Sequence, residues 1–292
     1  MKNFTQQLLV IILCVTASLS VYSQKSLNIE GPSKKIASKK WQPLLDKNLS
    51  KWEIWTGVPD PSVKNLPASY VIPEDGKPVD AIGLNNEMNV FSVSLDKDGT
   101  PILNISGEVY AGLTSKKEYA NYHLTMLFKW GEKKWAPRLE AKRDCGLLYH
   151  CYGEHGAFWN VWKSCLELQI QEGDMGDLYC LAGTKSKVSA DKTNHWDPKG
   201  ERISKTAKRS VDAESPNGKW TRIDLYVVDD VAIHVVNGHV VLALKDAITN
   251  KGEKLNKGQI QIQSEGAECY AKEIFIRPLK KFPKKIKKVA GF

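Results

Sequence analysis

Alternation with a period of two runs through this chain in one short stretch after another, and no segment sustains an apolar period of 3.6 residues. Successive side chains of a strand point to opposite faces, whereas a helix needs apolar residues three and four apart. Tyr122, Leu124, Met126, Phe128 and Trp130 alternate with His123, Thr125, Leu127 and Lys129, the signature of a strand with one face in a core. Further strands are expected at 90–95, 102–105, 109–114, 146–150, 165–171 and 178–181. After a long break they resume at 220–228, 232–236, 240–244, 259–264 and 269–276. Asn237-Gly238 between two apolar runs is the clearest hairpin turn. Many short strands with turn residues between them specify an all-β sandwich.

Two of these strands carry an unusual polar face. Leu166, Leu168 and Ile170 point one way, while Glu167, Gln169 and Gln171 point the other. Near the C-terminus Ile260 and Ile262 face in, while Gln259, Gln261, Gln263 and Glu265 face out. A row of carboxylates and carboxamides is either an ordinary exposed strand face or a surface that binds sugar hydroxyls. Its repetition on a second strand favours one shared, solvent-facing sheet surface.

The first residues have the form of an export leader. Lys2 begins it, Leu8 to Val15 form its apolar centre, and Val21-Tyr-Ser23 offers a cleavage site before Gln24. The apolar run is too short for a convincing membrane-spanning helix. Cys14 raises lipidation as an alternative, but Leu13 before it is bulkier than a lipobox accommodates. A periplasmic or secreted protein is therefore expected, with no transmembrane anchor after leader removal. The formal net charge is +9. Its excess sits in segments that read as loops and tail, and export argues against nucleic acid as the partner. Five cysteines follow the leader, with no Cys-x-x-Cys pair and no histidine spacing that suggests zinc. Cys165 and Cys180 are placed to pair across a hairpin, and buried free thiols are the alternative reading. No Asp cluster marks a calcium site, and no cofactor is indicated.

Residues 24–40 are polar and basic, and read as a flexible lead-in to a single domain spanning 41–279. Residues 280–292 read as a basic tail. The proline-rich stretch 57–88 excludes a long helix and leaves room for one short strand at 69–72. Loop 152–163 gathers Tyr152, Phe158, Trp159 and Trp162 beside the central strand. Such rings either stack on sugar rings or tuck down as a satellite core. Residues 182–219 are almost free of apolar side chains and read as a mobile flap beside the site, touching the core only through His195-Trp196.

The order of several short motifs resembles the 3-keto-disaccharide hydrolase domain family. Trp41-x-Pro-Leu-Leu-Asp46 followed by Leu49-x-x-Trp52 is similar to that family's opening. Cys145-Gly-Leu-Leu-Tyr-His150, Glu167-Leu-Gln-Ile170 and Gly176-Asp-Leu-Tyr179 resemble its central motifs. Trp220-Thr-Arg-Ile223 with His234-Val-Val-Asn-Gly238, then 258–266 and 273–279, resemble its closing strands. His150 stands where the family usually has Arg, and Cys145 where it usually has Ser. The resemblance implies a concanavalin A-like jelly roll of two antiparallel sheets whose concave face holds the site.

It also implies cleavage of 3-keto-glycosides. A ketone at C3 acidifies the C2 proton, so a general base can remove it, the C1 oxygen leaves, and water adds back. Glu167 or Glu265 is the expected base, and His150 is a further catalytic candidate. Gln169, Gln263, Tyr149, Tyr179, Trp159 and Trp162 are the expected substrate contacts. His234 is a weaker candidate, better explained as structural. Two alternatives stay open: a non-catalytic carbohydrate-binding domain of the same fold, and a standard retaining glucanase. The second would need Glu167 and Glu172 on one strand face, which a five-residue offset forbids without a bulge.

Overall fold

The computed structural model describes residues 26–31 and 40–292. The expected leader, 1–23, and most of the expected lead-in, 24–40, lie outside the described residues. Seventeen strands and one helix follow in chain order. They are β1 (Gln42–Pro43), β2 (Trp52–Thr56), β3 (Gly83–Leu84), β4 (Phe91–Leu95), β5 (Pro101–Ile105) and β6 (Ala111–Ser115). Next come β7 (Tyr122–Lys134), β8 (Asp144–Tyr152), β9 (Ser164–Gln171), β10 (Leu178–Leu181), β11 (Lys185–Ala190) and β12 (Arg202–Ser204). The chain closes with β13 (Thr221–Val228), β14 (Val231–Val236), β15 (His239–Ile248), β16 (Gln259–Ser264), β17 (Ala267–Pro278) and α1 (Lys284–Ala290).

The strands form the expected antiparallel jelly-roll sandwich. One sheet has the order β12-β11-β15-β14-β13-β7-β17-β5-β4, with β1 pairing on β17, and the other β10-β9-β8-β16-β6-β2-β3. The core between them takes every second residue from each sheet. Leu124, Met126, Phe128, Ile223 and Leu225 come from the ten-stranded sheet; Leu147, Leu166, Leu168, Ile260 and Ile262 come from the seven-stranded one. A second, smaller apolar cluster of Leu148, Cys151, Val161, Trp162, Cys165 and Leu181 lies on the other face of the seven-stranded sheet. Among the described residues no helix is long and apolar enough to cross a membrane.

Three expectations are corrected, the strand at 69–72, the flap at 182–219 and the pairing of Cys165 with Cys180, and the lead-in and tail gain detail. Residues 69–72 form no strand; the edge strand of this region is β3. Segment 182–219 is built into the fold, because β11 pairs with β15 and β12 with β11 at one edge of the larger sheet. Val188, Ala190, Trp196 and Ala207 bury there, so a few apolar residues spaced along a polar segment suffice to anchor it. The tail folds as α1, with Ile286 and Ala290 buried. Residues 26–31 lie against the ten-stranded sheet. The Leu27 N–H donates to Gly238 O at 2.8 Å, and Arg222, held by Asp224, donates to Ile29 O at 3.1 Å. Cys165 stands opposite Leu181 and Cys180 opposite Leu166, which puts the two cysteines on opposite faces of their hairpin. They cannot pair, and the described cysteines are free thiols.

Candidate functional site

Strand register arranges the far face of the seven-stranded sheet into three cross-strand rows. One row runs Thr114, Gln261, Leu148, Glu167, Tyr179 over five adjacent strands. The next runs through Trp55, Gly112 and Gln263 to Gly146 and Gln169. The third joins Glu265, Asp144 and Gln171. The polar rows anticipated on β9 and β16 therefore share one face, with β8 between them. Their meeting depends on two bare positions. A Cβ on Gly146 would stand 2.2 Å from Glu167 Oε1 and 2.4 Å from Gln263 Oε1; one on Gly112 would stand 2.3 Å from Gln261 Nε2. Side chains from the flanking strands lie down over these glycines.

Three carboxyl groups gather here around one guanidinium. Arg138 pairs with Asp144 and, at 2.8 Å, with Glu265. Gln171 Nε2 donates to Asp144 Oδ2 at 2.6 Å, and the Cys145 N–H donates to Asp144 Oδ1 at 3.0 Å. Tyr110 lies beside Arg138, whose charge opposes the rise in the tyrosine's pKa that burial and Glu265 cause. Glu167 was expected to face solvent, yet it is only 5% exposed. The apolar cluster of Leu148, Cys165, Trp162 and Leu181 covers its side of the sheet. Burial raises its pKa well above the usual carboxyl value, and the charges of Glu265 and Asp144 raise it further. Glu265 is pushed up to about 8 by burial and by Asp144, against the pull of Arg138. Asp144 is raised to about 6 by burial, with Arg138 and the Gln171 hydrogen bond opposing. One guanidinium cannot hold three carboxylates ionised in so dry a place, so the cluster carries protons at neutral pH.

The other expected contacts divide between the two faces. Gln263 is buried, and its Oε1 takes no hydrogen bond among the described residues. Gln169 is 7% exposed beside Gly146, its Oε1 accepting from the Ile170 N–H at 3.0 Å. Tyr179 stands next to Glu167 at the open edge and is 47% exposed. Trp159 is 65% exposed and stacks on Phe158 at 4.7 Å, whereas Trp162 is buried against Tyr110 at 5.8 Å. The aromatic loop thus supplies both an exposed ring and a satellite core. Trp55, at the far end of the second row, stacks on His155 at 5.4 Å.

Tyr149 and His150 do not join this group. Tyr149 points between the sheets, where its hydroxyl donates to His234 Nε2 at 2.9 Å; His234 Nδ1–H in turn donates to Gly176 O at 3.0 Å. Burial keeps His234 neutral, lowering its pKa to about 4 against the opposing hydrogen bond to Gly176. His150 sits at a bulge with φ 54°, fully buried, and burial lowers it to about 4, with Asp229 of the β13–β14 turn as its charged neighbour. Glu172 lies beyond the strand end, bound to Arg143 at 3.2 Å and Asn217 at 2.6 Å, and does not share a face with Glu167. Among the described residues no three His, Cys, Asp or Glu side chains converge on a point that a metal ion could occupy.

Asp144, Arg138 and Tyr110 were missed from the sequence. Asp144 is visible in retrospect as the residue two before Gly146 in the same alternation. Arg138 and Tyr110 lie just before strand starts or in loops, where no period marks which way a side chain points.

The chain matches the model of the 3-keto-alpha-glucoside-1,2-lyase-like domain over residues 40–277. No curated protein sequence matches it. A solved structure from Parabacteroides distasonis, provisionally classed as a glycosyl hydrolase, superposes with a TM-score of 0.51 at 14% identity, over 85% of this chain and 98% of that one. A second of the same description and organism gives 0.46 at 18% identity, over 82% and 100%. A carbohydrate-binding module from Bacillus subtilis gives 0.40 at 7% identity, over 64% and 91%. The first of these likenesses shows a shared fold. With the family model covering all but the ends of the sandwich, the chain belongs to the 3-keto-alpha-glucoside-1,2-lyase-like domain family, a carbohydrate-acting family.

Proposed function

We propose that the carboxyl cluster on the far face cleaves 3-keto-glycosides by proton abstraction, elimination and hydration. The observation that carries this reading is the grouping of Asp144, Glu167 and Glu265 around Arg138, with one carboxyl held protonated and another titrating near neutrality. Elimination next to a ketone needs both a base and an acid, and environments that push neighbouring carboxyls apart supply them.

Glu265, paired with Arg138 and titrating at about 8, takes the C2 proton in its ionised form. The C–H electrons move into the C2–C3 bond and the ketone oxygen becomes an enediolate oxyanion. Arg138 and the amide N–H donors of Gln169 and Gln263 are the groups positioned to stabilise it. The enediolate re-forms the ketone as the C1–O1 bond breaks, and Glu167 gives its proton to the departing oxygen. Water then adds across C1 and C2, hydroxyl to C1 and proton to C2, which completes a hydrolysis and restores both carboxyls. Glu167 is thus assigned the acid role rather than the base role first expected of it, because its burial keeps it protonated. Tyr179 and Trp159 offer exposed rings for the sugar faces.

The test is turnover of a 3-keto-disaccharide, followed as monosaccharide release. Glu265→Gln and Glu167→Gln should each lower kcat by roughly two to four orders of magnitude, with folding retained. A wild-type protein that binds glycans but releases no monosaccharide would favour the carbohydrate-binding alternative.

A further inference from the structure

Beside the carboxyl cluster lies an open cleft of about 200 Å³, lined by Pro59, Asp60, Glu108, Tyr110 and Pro137. We infer that this cleft is the subsite for the second, leaving-group sugar, and that it selects a neutral glycosyl unit. The inference rests on the reading of the cluster as a 3-keto-glycoside site.

Continuity between cleft and cluster comes from Tyr110 and residues 136–138. Tyr110 lies within the electrostatic reach of Arg138, the guanidinium that holds Asp144 and Glu265, while its ring stacks on Trp162 and its carbonyl accepts the Gly57 N–H at 2.8 Å. Pro137 immediately precedes Arg138. A glycoside with its C1–O1 bond over the carboxyls therefore directs its leaving sugar along Tyr110 into the cleft. The cleft has room for several waters, which one sugar ring would displace. Proline and tyrosine faces suit the C–H faces of that ring.

The polar lining is acidic. Asp60 Oδ1 accepts from the Ser62 N–H and hydroxyl at 2.9 and 2.6 Å, which fixes the carboxylate in place. The Glu108 side chain takes no partner among the described residues, and both groups are partly exposed. Carboxylates accept hydrogen bonds from sugar hydroxyls, and these two, with no basic side chain lining the cleft, repel a uronate.

The experiment compares kcat/KM for two neutral substrates that share the keto-glucosyl unit, a 3-keto-disaccharide and methyl 3-keto-glucoside. A third carries a uronic acid as the leaving sugar. Glu108→Ala, and Asp60→Asn, which keeps the turn, should each lower the disaccharide-to-methyl ratio on the order of tenfold. Both should narrow the gap between the neutral and the uronate disaccharide. An unchanged ratio in both variants overturns the subsite. If the wild type turns over neither neutral substrate, the catalytic reading fails. Calorimetric binding of the unoxidised disaccharide then decides the cleft alone: weaker binding by both variants supports it, and binding equal to wild type, or none by wild type, overturns it.

Discussion

Glu167 Oε1 and Gln263 Oε1 meet over Gly146, both reaching into the space that a single methyl group there would fill. One oxygen belongs to a carboxyl that burial keeps protonated and the other is an acceptor without a partner among the described residues. Protonation gives Glu167 a donor of the kind that the neighbouring Gln263 Oε1 lacks. Neither residue's own strand explains this contact; the glycine on the strand between them does. Gly146→Ala should therefore push both side chains aside, destabilising by about 1–3 kcal/mol and lowering kcat roughly a hundredfold. Chemical denaturation beside initial-rate measurement checks the two effects separately.

The pH dependence of stability has a definite sign. Folding raises the Glu265 pKa from 4.5 to about 8, so the folded protein keeps a proton that the unfolded chain has already lost. Its contribution is fully present below about 4.5 and is lost as pH rises through about 8, with a limiting slope of about 1.4 kcal/mol per pH unit. Glu167 acts in the same direction. Thermal unfolding between pH 7 and 9, above the range in which His150 and His234 act in the opposite direction, should show falling stability, and Glu265→Gln should flatten that decline. A rise in stability across this window would contradict the assigned burial.

Asp144 tunes the same group. Its charge raises the Glu265 pKa and it competes for Arg138. Asp144→Asn should move the acid limb of the kcat/KM profile to lower pH. A limb that stays put or moves up would show that Glu265 is not the titrating base.

The two tryptophans of the aromatic loop should separate cleanly. Trp162→Ala empties a buried position and should cost about 3–5 kcal/mol. Trp159→Ala should change stability by less than about 0.5 kcal/mol while weakening glycan binding. Denaturation and calorimetry on the same pair of variants decide this.

Much of the architecture was legible in the sequence because strand faces are written in alternation. The rows on β9 and β16, the Asn237-Gly238 turn and most strand spans follow from it. What alternation cannot give is which strand lies between two others. Without β8 between β9 and β16, nothing in the sequence brings Glu167, Gln263 and Asp144 together. The same gap misplaced Tyr149, whose hydroxyl turns to His234 in the core, and His150, which a bulge rotates out of its row. Burial was misjudged for Glu167 because most of the apolar cluster above it comes from the loop before β9 and from the neighbouring strands β8 and β10, which alternation along β9 alone does not reveal. Segment 182–219 looked too polar to order, yet a few residues, Val188, Ala190, Trp196 and Ala207, tie it to the larger sheet.

The central claim is cleavage through a C2 carbanion-like intermediate, and isotope incorporation tests it most directly. A 3-keto-disaccharide is turned over in D₂O, with an enzyme-free incubation alongside to correct for spontaneous exchange, and the released 3-keto sugar is read by mass spectrometry and proton NMR. Elimination and hydration put one solvent deuteron at C2 of each product molecule, and Glu265→Gln slows release and labelling together by roughly two to four orders of magnitude. Release of monosaccharide with no deuterium at C2 beyond the control would contradict the account, since direct displacement at C1 leaves that proton untouched.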